Sequence, residues 1–315
     1  MVYLPYLEAS KELKTKPAQN ALKDLRSRGI VPDLLFVRAD HPISDDIRRK
    51  LSAMTWISYQ QTIPVPTLQS IYHVPGYLHH YDILDHIHKQ LRLTTHTLDI
   101  QARKKLSHAI HTSSKTLRIS IVGAYADTWD TYYSLKEALR IASWHAQHQA
   151  NIHIITPETW DAESLLAESD LVCISCECGT NLDTYSHILH YIKQHKIPTL
   201  ALSWAAYWLL DTTHHTQRVV SDIKGDRTLL TRHTDIYPSH QIQERYRHGS
   251  SLTLSAQDIL ATHWYDILAQ DPTLKTIDAR ISQDGYRVGT IFHPELRTRP
   301  LSSHPLFDYM IQQAL

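Results

Sequence analysis

Three cysteines fall within one short string, as Cys173, Cys176 and Cys178. A C-x-x-C-x-C string offers three soft sulfur donors, the ligand type that structural zinc takes. No fourth ligand stands at a matching spacing, and Cys173 lies in an apolar run that reads as a buried strand. The simpler reading is therefore a buried small hydrophobe followed by loop residues, with zinc or a redox pair as the alternative. A second candidate lies near the N-terminus, where Lys14 and Lys16 precede Pro17 and Gln19. Ammonium groups are compact point charges that suit phosphate. By itself, a Lys-x-Lys pair at a helix start is also an ordinary solvated surface.

Glycine-based phosphate chemistry has no place in this sequence. There are 8 glycines among 315 residues, and neither G-x-x-x-x-G-K-[ST] nor G-x-G-x-x-G occurs. Lys+Arg and Asp+Glu both total 32, so the formal net charge is zero. No global positive field favours nucleic acid. No apolar run approaches the length of a membrane-spanning helix, and no membrane or nucleic-acid partner is expected. The start, Met1-Val2-Tyr3-Leu4-Pro5-Tyr6, lacks a basic segment followed by an apolar one, so the cytoplasm is the expected compartment. Histidine is abundant, at 23 residues, which would make the chain cationic near pH 6.

The elements that must position these residues follow from periodicity. Residues 8–28 read as a helix stopped at Arg28-Gly29, and 32–37 as a short buried strand. Ser44-Asp45-Asp46 opens a helix over 43–54. Residues 55–64 are β-rich, and 78–110 are mostly helical and polar. The second half alternates strand and helix: strands at 118–123, 151–155, 170–175 and 198–203, helices at 130–147, 158–168, 182–196 and 204–211. That is a doubly wound α/β pattern with a parallel sheet. Its ligand site belongs at the carboxyl ends of the strands. A more β-like region leads to strands near 277–284 and 286–292 and a helix over 304–314. The polar string 111–116 reads as a linker. It separates a first domain over 1–110 from a second over 117–315.

Two strings identify a family. One is Tyr3-Leu4-Pro5-Tyr6-Leu7-Glu8-Ala9, continuing through Glu12-Leu13-Lys14-Thr15-Lys16-Pro17-Ala18-Gln19 to Leu25-Arg26-Ser27-Arg28-Gly29-Ile30-Val31-Pro32-Asp33. The other is Phe292-His293-Pro294-Glu295 with Arg299-Pro300 and His304-Pro305-Leu306-Phe307. Between them stand Ser70-Ile71-Tyr72-His73-Val74-Pro75 and Ile119-Ser120-Ile121-Val122-Gly123-Ala124-Tyr125. In order and in spacing these resemble CTP synthase over essentially the whole chain. The resemblance implies a doubly wound class I glutamine amidotransferase-like domain preceded by a partial P-loop synthetase-type α/β domain. It implies the chemistry of UTP amination to CTP, with glutamine hydrolysis supplying ammonia. The matched part begins partway through the family's first domain, beyond its phosphate-binding loop and magnesium carboxylates. ATP and magnesium would then act only through a partner chain. No metal and no cofactor are expected on this chain itself, and UTP or CTP is the nucleotide it would take.

The resemblance also assigns residues. Lys14, Lys16, Gln19 and Lys50 stand where the family grips pyrimidine-nucleotide phosphates across a subunit boundary. A homo-oligomer, or a hetero-oligomer with a chain carrying the ATP-binding half, is the expected assembly. In the amidotransferase half the family's Gly-x-Cys-x-Gly elbow becomes Ala201-Leu202-Ser203-Trp204-Ala205. Ser203 replaces the nucleophilic thiol, while His293 and Glu295 retain the positions of base and orienting carboxylate. Serine needs full general-base help where cysteine is already partly thiolate. The family's Pro-Gly-Gly-Phe-Gly oxyanion loop becomes Ile174-Ser175-Cys176-Glu177-Cys178. Its lost glycines had let backbone N–H groups turn toward the oxyanion. The basic residue that follows that loop is replaced near Thr180 and Asn181. The family's Arg-His-Arg-Tyr is reduced to Glu244-Arg245-Tyr246. The expectation is an inactive glutaminase in a chain that serves as subunit or regulator. The alternative is a serine hydrolase using Ser203-His293-Glu295, as in peptidase-E-like enzymes. A thiol nucleophile moved to Cys176 or Cys178 is a further alternative.

Overall fold

The computed structural model describes residues 1–94, 100–125, 128, 130–157, 162–176, 182–209, 219–221, 225–231, 235–247, 250–252, 265–273 and 276–315. The chain divides into two compact units, Met1–Ser107 and His108–Leu315.

In the first unit, strands β1 (Val2–Tyr3), β4 (Leu35–Ala39) and β5 (Thr62–Pro66) form a parallel sheet in that order. Strands β2 (Tyr6–Leu7) and β3 (Glu12–Leu13) pair antiparallel, and Lys11 turns between them in the left-handed region at φ 49°. The helix expected from residue 8 starts later, as α1 (Lys16–Ser27). Pro17 is the reason: proline lacks an N–H and fits a helix only in its first turn. Ala18 and Leu22 point inward from α1 onto Leu4, Leu35, Val37 and Leu51. Helix α2 (Asp45–Thr55) opens as expected, with the Ser44 hydroxyl accepting from the Ile47 N–H at 3.4 Å. The polar stretch beyond it holds α3 (Val74–His79), α4 (Ile83–Leu91) and α5 (Gln101–Thr112).

The linker expected at 111–116 is largely regular structure. His111 and Thr112 end α5, and Lys115 and Thr116 begin strand β6 (Lys115–Val122). The Ser113 hydroxyl donates to the Ala109 carbonyl at 2.6 Å, so the polar residues finish a helix instead of spacing two domains.

The second unit is built on one nine-stranded sheet. Its parallel part holds β7 (His148–Ile155), β6, β8 (Leu171–Cys176), β9 (Thr199–Ser203) and β16 (Arg287–Thr290), adjacent in that order. Its antiparallel part continues from β16 through β15 (Thr276–Ser282), β14 (Tyr265–Asp271) and β11 (Gly225–Thr231) to β12 (Gln241–Tyr246). The expected doubly wound pattern therefore covers only the first half of the sheet. Helices α6 (Tyr133–His145), α7 (Ala162–Ala167), α8 (Leu182–His195), α9 (Ala205–Leu209) and the closing helix Pro305–Ala314 complete the unit. The strands β6, β8 and β9 are buried on both faces, which is why they read as continuous apolar runs. Short strands β10 (Val219–Ser221) and β13 (Ser250–Leu252) pair separately.

Candidate functional site

The carboxyl ends of β8, β9 and β16 lie side by side. The register pairs Thr290 with Leu202, and Cys176 with Ser203. Ser203 is thus the last residue of β9, and His293 follows the end of β16 by three positions. Neighbouring parallel strands deliver both to one edge of the sheet. Ser203 is buried and holds φ 57° ahead of α9. A left-handed serine costs on the order of 1–2 kcal/mol. It is the conformation of a sharp strand-to-helix elbow, which presents a side chain at the sheet's rim.

His293 and Glu295 form the second part. The imidazole Nδ1 lies 2.7 Å from Glu295 Oε1; His293 is buried and Glu295 partly so. A carboxylate only accepts, so Nδ1 donates in this contact and Nε2 is turned away from Glu295. The His293 N–H donates to the Arg245 carbonyl at 2.9 Å, which ties this turn to β12. Arg245 and Arg297 both reach Asp226, at 2.9 and 3.1 Å. Hydrogen bonding to Arg245 holds the Asp226 carboxyl below its ordinary range. Chemically, a buried hydroxyl at an elbow and a carboxylate-oriented imidazole are the parts of a nucleophile–base pair.

Gly123, at the end of β6, fits against this edge. A Cβ there would run into the Tyr132 hydroxyl and sit 3.0 Å from the Ser175 carbonyl, so a side chain at this position would have to displace the Tyr132 ring.

Cys173 is fully buried in β8. Burial, and then the charge of Glu295, push its thiol well up. It is an inert core residue. Cys176 ends the same strand, beside Ser203. Cys178 and Glu177 lie outside the described residues, as do Thr180 and Asn181. Among the described residues no three His, Cys, Asp or Glu side chains gather in a way that could hold a metal ion.

The first unit assembles the lysines differently. Lys14 pairs with Glu12, and this bond holds the Glu12 carboxyl below its usual range. Lys50, on α2, lowers it further by its charge, so Lys14 and Lys50 flank one carboxylate. Lys16 is the first residue of α1, exposed, in a helix start that has no acidic residue in its first turn. Gln19 instead donates to the Thr15 hydroxyl at 3.0 Å. The cluster is open, cationic and beside a helix N-terminus, conditions that favour an anion.

One pair was not visible in the sequence. His304 Nε2 lies 2.7 Å from Glu244 Oε1, with both residues buried. The Leu306 N–H donates to His304 Nδ1 at 3.2 Å, capping the closing helix. No spacing signals this contact, since the partners stand 60 residues apart.

Residues 1–93 match the family model described as the CTP synthase N-terminus. Over 99% of its length the chain is 28% identical to a CTP synthase of Prochlorococcus marinus and 29% identical to one of Dehalococcoides mccartyi. It spans 63% and 64% of those relatives' own lengths. A solved structure, the glutaminase domain of the Trypanosoma brucei CTPS with bound acivicin, superposes with a TM-score of 0.52 at 18% identity. That likeness covers 63% of this chain and 93% of the other, and it concerns the fold alone. No helix among the described residues is long and apolar enough to cross a membrane. The chain is thus similar to CTP synthases along its length, and its second unit has a glutamine amidotransferase-type fold.

Proposed function

We propose that this chain serves UTP-to-CTP amination as a subunit or regulator, without producing ammonia from glutamine itself. The observation that carries this reading is Ser203, a hydroxyl at the left-handed elbow where a family member has its thiol. An alcohol at ordinary pKa demands more of its base than a thiol does. The string from Ile174 to Cys178, whose first three residues end β8, has no glycine to turn its amides toward an oxyanion, and loss of one such donor costs on the order of a hundred-fold or more in rate. In this reading a partner subunit would phosphorylate UTP, and free ammonia would be the nitrogen source. Lys14, Lys16, Gln19 and Lys50 would hold the nucleotide phosphates, which would displace Glu12 from Lys14. Homo-oligomerisation, or pairing with the ATP-binding chain, would complete this site.

Ammonia release from glutamine is the test. The full chain should release none above background, and Ser203→Cys should not restore turnover while residues 174–178 stay as they are. Glutamine hydrolysis by the wild-type chain would overturn the reading. In parallel, Lys14→Ala and Lys16→Ala should each weaken UTP binding about ten-fold.

The bond between His293 Nδ1 and Glu295, with Ser203 at the neighbouring strand end, favours one second reading, a serine hydrolase. Labelling by a fluorophosphonate that is lost in Ser203→Ala would support it, and absence of labelling would dismiss it.

A further inference from the structure

The nine-stranded sheet ends at β7 on one side and β12 on the other, and the two edges differ. Strand β7 reads His148-Gln149-Ala150-Asn151-Ile152-His153-Ile154-Ile155. It pairs with β6 along all eight residues. It contains no Lys, Arg, Asp or Glu, no proline and no glycine. Strand β12, by contrast, carries Glu244 and Arg245.

The backbone directions on β7 follow from one bond. The Gly123 N–H donates to the Ile155 carbonyl, so Ile155 faces β6. Alternation then turns Gln149, Asn151 and His153 toward β6 as well. The N–H and C=O groups of His148, Ala150, Ile152 and Ile154 face away from it. Among the described residues no strand pairs with that side. The side chains of Ala150, Ile152 and Ile154 pack on the core, while those of Asn151 and His153 are exposed.

Proteins normally blunt such an edge with charge, proline, a bulge or a short strand. None of these is present in β7. We propose that β7 is a docking edge for a second copy of this chain, joined antiparallel across a two-fold axis. A two-fold sets like against like. That is harmless for an uncharged strand and would be repulsive for one carrying ions. The zero net charge of the chain adds no long-range repulsion between copies. A foreign strand would be selected by charge or side-chain pockets along the edge, and β7 offers no charge for that purpose. The contact is independent of the catalytic reading above.

Sedimentation of the full chain from low to high micromolar concentration should show a reversible monomer–dimer equilibrium. Asn151→Lys combined with His153→Lys should weaken it about ten-fold or more, because like charges then face one another. Gln243→Lys on the exposed opposite edge should leave it unchanged. Association unaffected by the β7 substitutions, or a wild-type chain that stays monomeric, overturns the proposal. Amide exchange on the wild type guards against a misfolded variant. The Ile152 and Ile154 amides should be fast when dilute and slow when concentrated, while those of Asn151 and His153 stay slow at both concentrations. Concentration-independent exchange at Ile152 and Ile154 also overturns it.

Discussion

Two histidine–glutamate pairs sit in the second unit, each with a 2.7 Å contact, and they use the imidazole in opposite ways. In His304 both nitrogens are consumed. Nδ1 accepts from the Leu306 N–H, and Nε2–H donates to Glu244. In His293 it is Nδ1, the opposite ring nitrogen, that serves the carboxylate of Glu295. The first pair is a clamp between β12 and the closing helix, boxed by Tyr237, Phe292 and Phe307. Burial, and then Glu244, drive the Tyr237 hydroxyl far above its ordinary pKa, a sign of how dry this pocket is. The second pair stands just past the end of β16, at the carboxyl end of the sheet. Tautomer, more than burial or distance, separates a structural histidine from a potential base.

Breaking the clamp should have the largest effect. His304→Ala removes a helix cap and strands a buried carboxylate, and should cost about 3–5 kcal/mol of stability. Chemical denaturation measures it. Adding Glu244→Gln should recover part of the loss, because a neutral amide is cheaper to bury than an unpaired carboxylate. A loss near zero would mean that Glu244 is already neutral or hydrated.

His293→Ala should cost less, about 1–3 kcal/mol, since the carboxylate it leaves, Glu295, is only partly buried and no helix cap is lost. It should also abolish any fluorophosphonate labelling of Ser203. Equal losses from the two alanine variants would erase the distinction drawn between the pairs.

Glu295 can be sharpened from another side, through Cys173. Burial is the main cause of that thiol's raised pKa and the Glu295 charge the lesser one. In the native chain Cys173 should resist a thiol reagent at pH 8 until unfolding, and Glu295→Gln should leave that resistance in place. Rapid labelling of Cys173 in folded Glu295→Gln would show that the charge, and not burial, protects it.

The smallest effect concerns Asp226, which braces the His293 turn through Arg245 and Arg297. Its folded-state pKa is depressed, so its contribution is present above the unfolded carboxylate's pKa and is lost as pH falls toward the folded value. Asp226→Asn should lower stability slightly at pH 7 and flatten its decline in acid. An unchanged acid profile would remove Asp226 from this bracing role.

Much of this was legible in the sequence. Strands β6, β8 and β9 stood out as apolar runs bounded by helical periodicity, because parallel strands covered on both faces admit little else. The family resemblance pointed to Lys14, Lys16 and Lys50, but nothing in it showed that Lys14 and Lys50 act on one carboxylate, Glu12. The start of α1 was misplaced because helical periodicity was followed past Pro17. The linker at 111–116 was misplaced because polar residues also finish helices and begin strands.

The sequence by itself determined the element order of the second unit's first half, the serine at the elbow and the histidine and glutamate two residues apart. The element order and the two-residue spacing rest on local pattern, and the place of the serine on the family resemblance. Only the tertiary structure decided the left-handed Ser203, the alignment of Thr290 with Leu202 that brings β16 beside β9, and the pairing of Glu244 with His304. Strand order joins residues that are distant in the chain, and periodicity, being local, carries no record of which strand becomes whose neighbour.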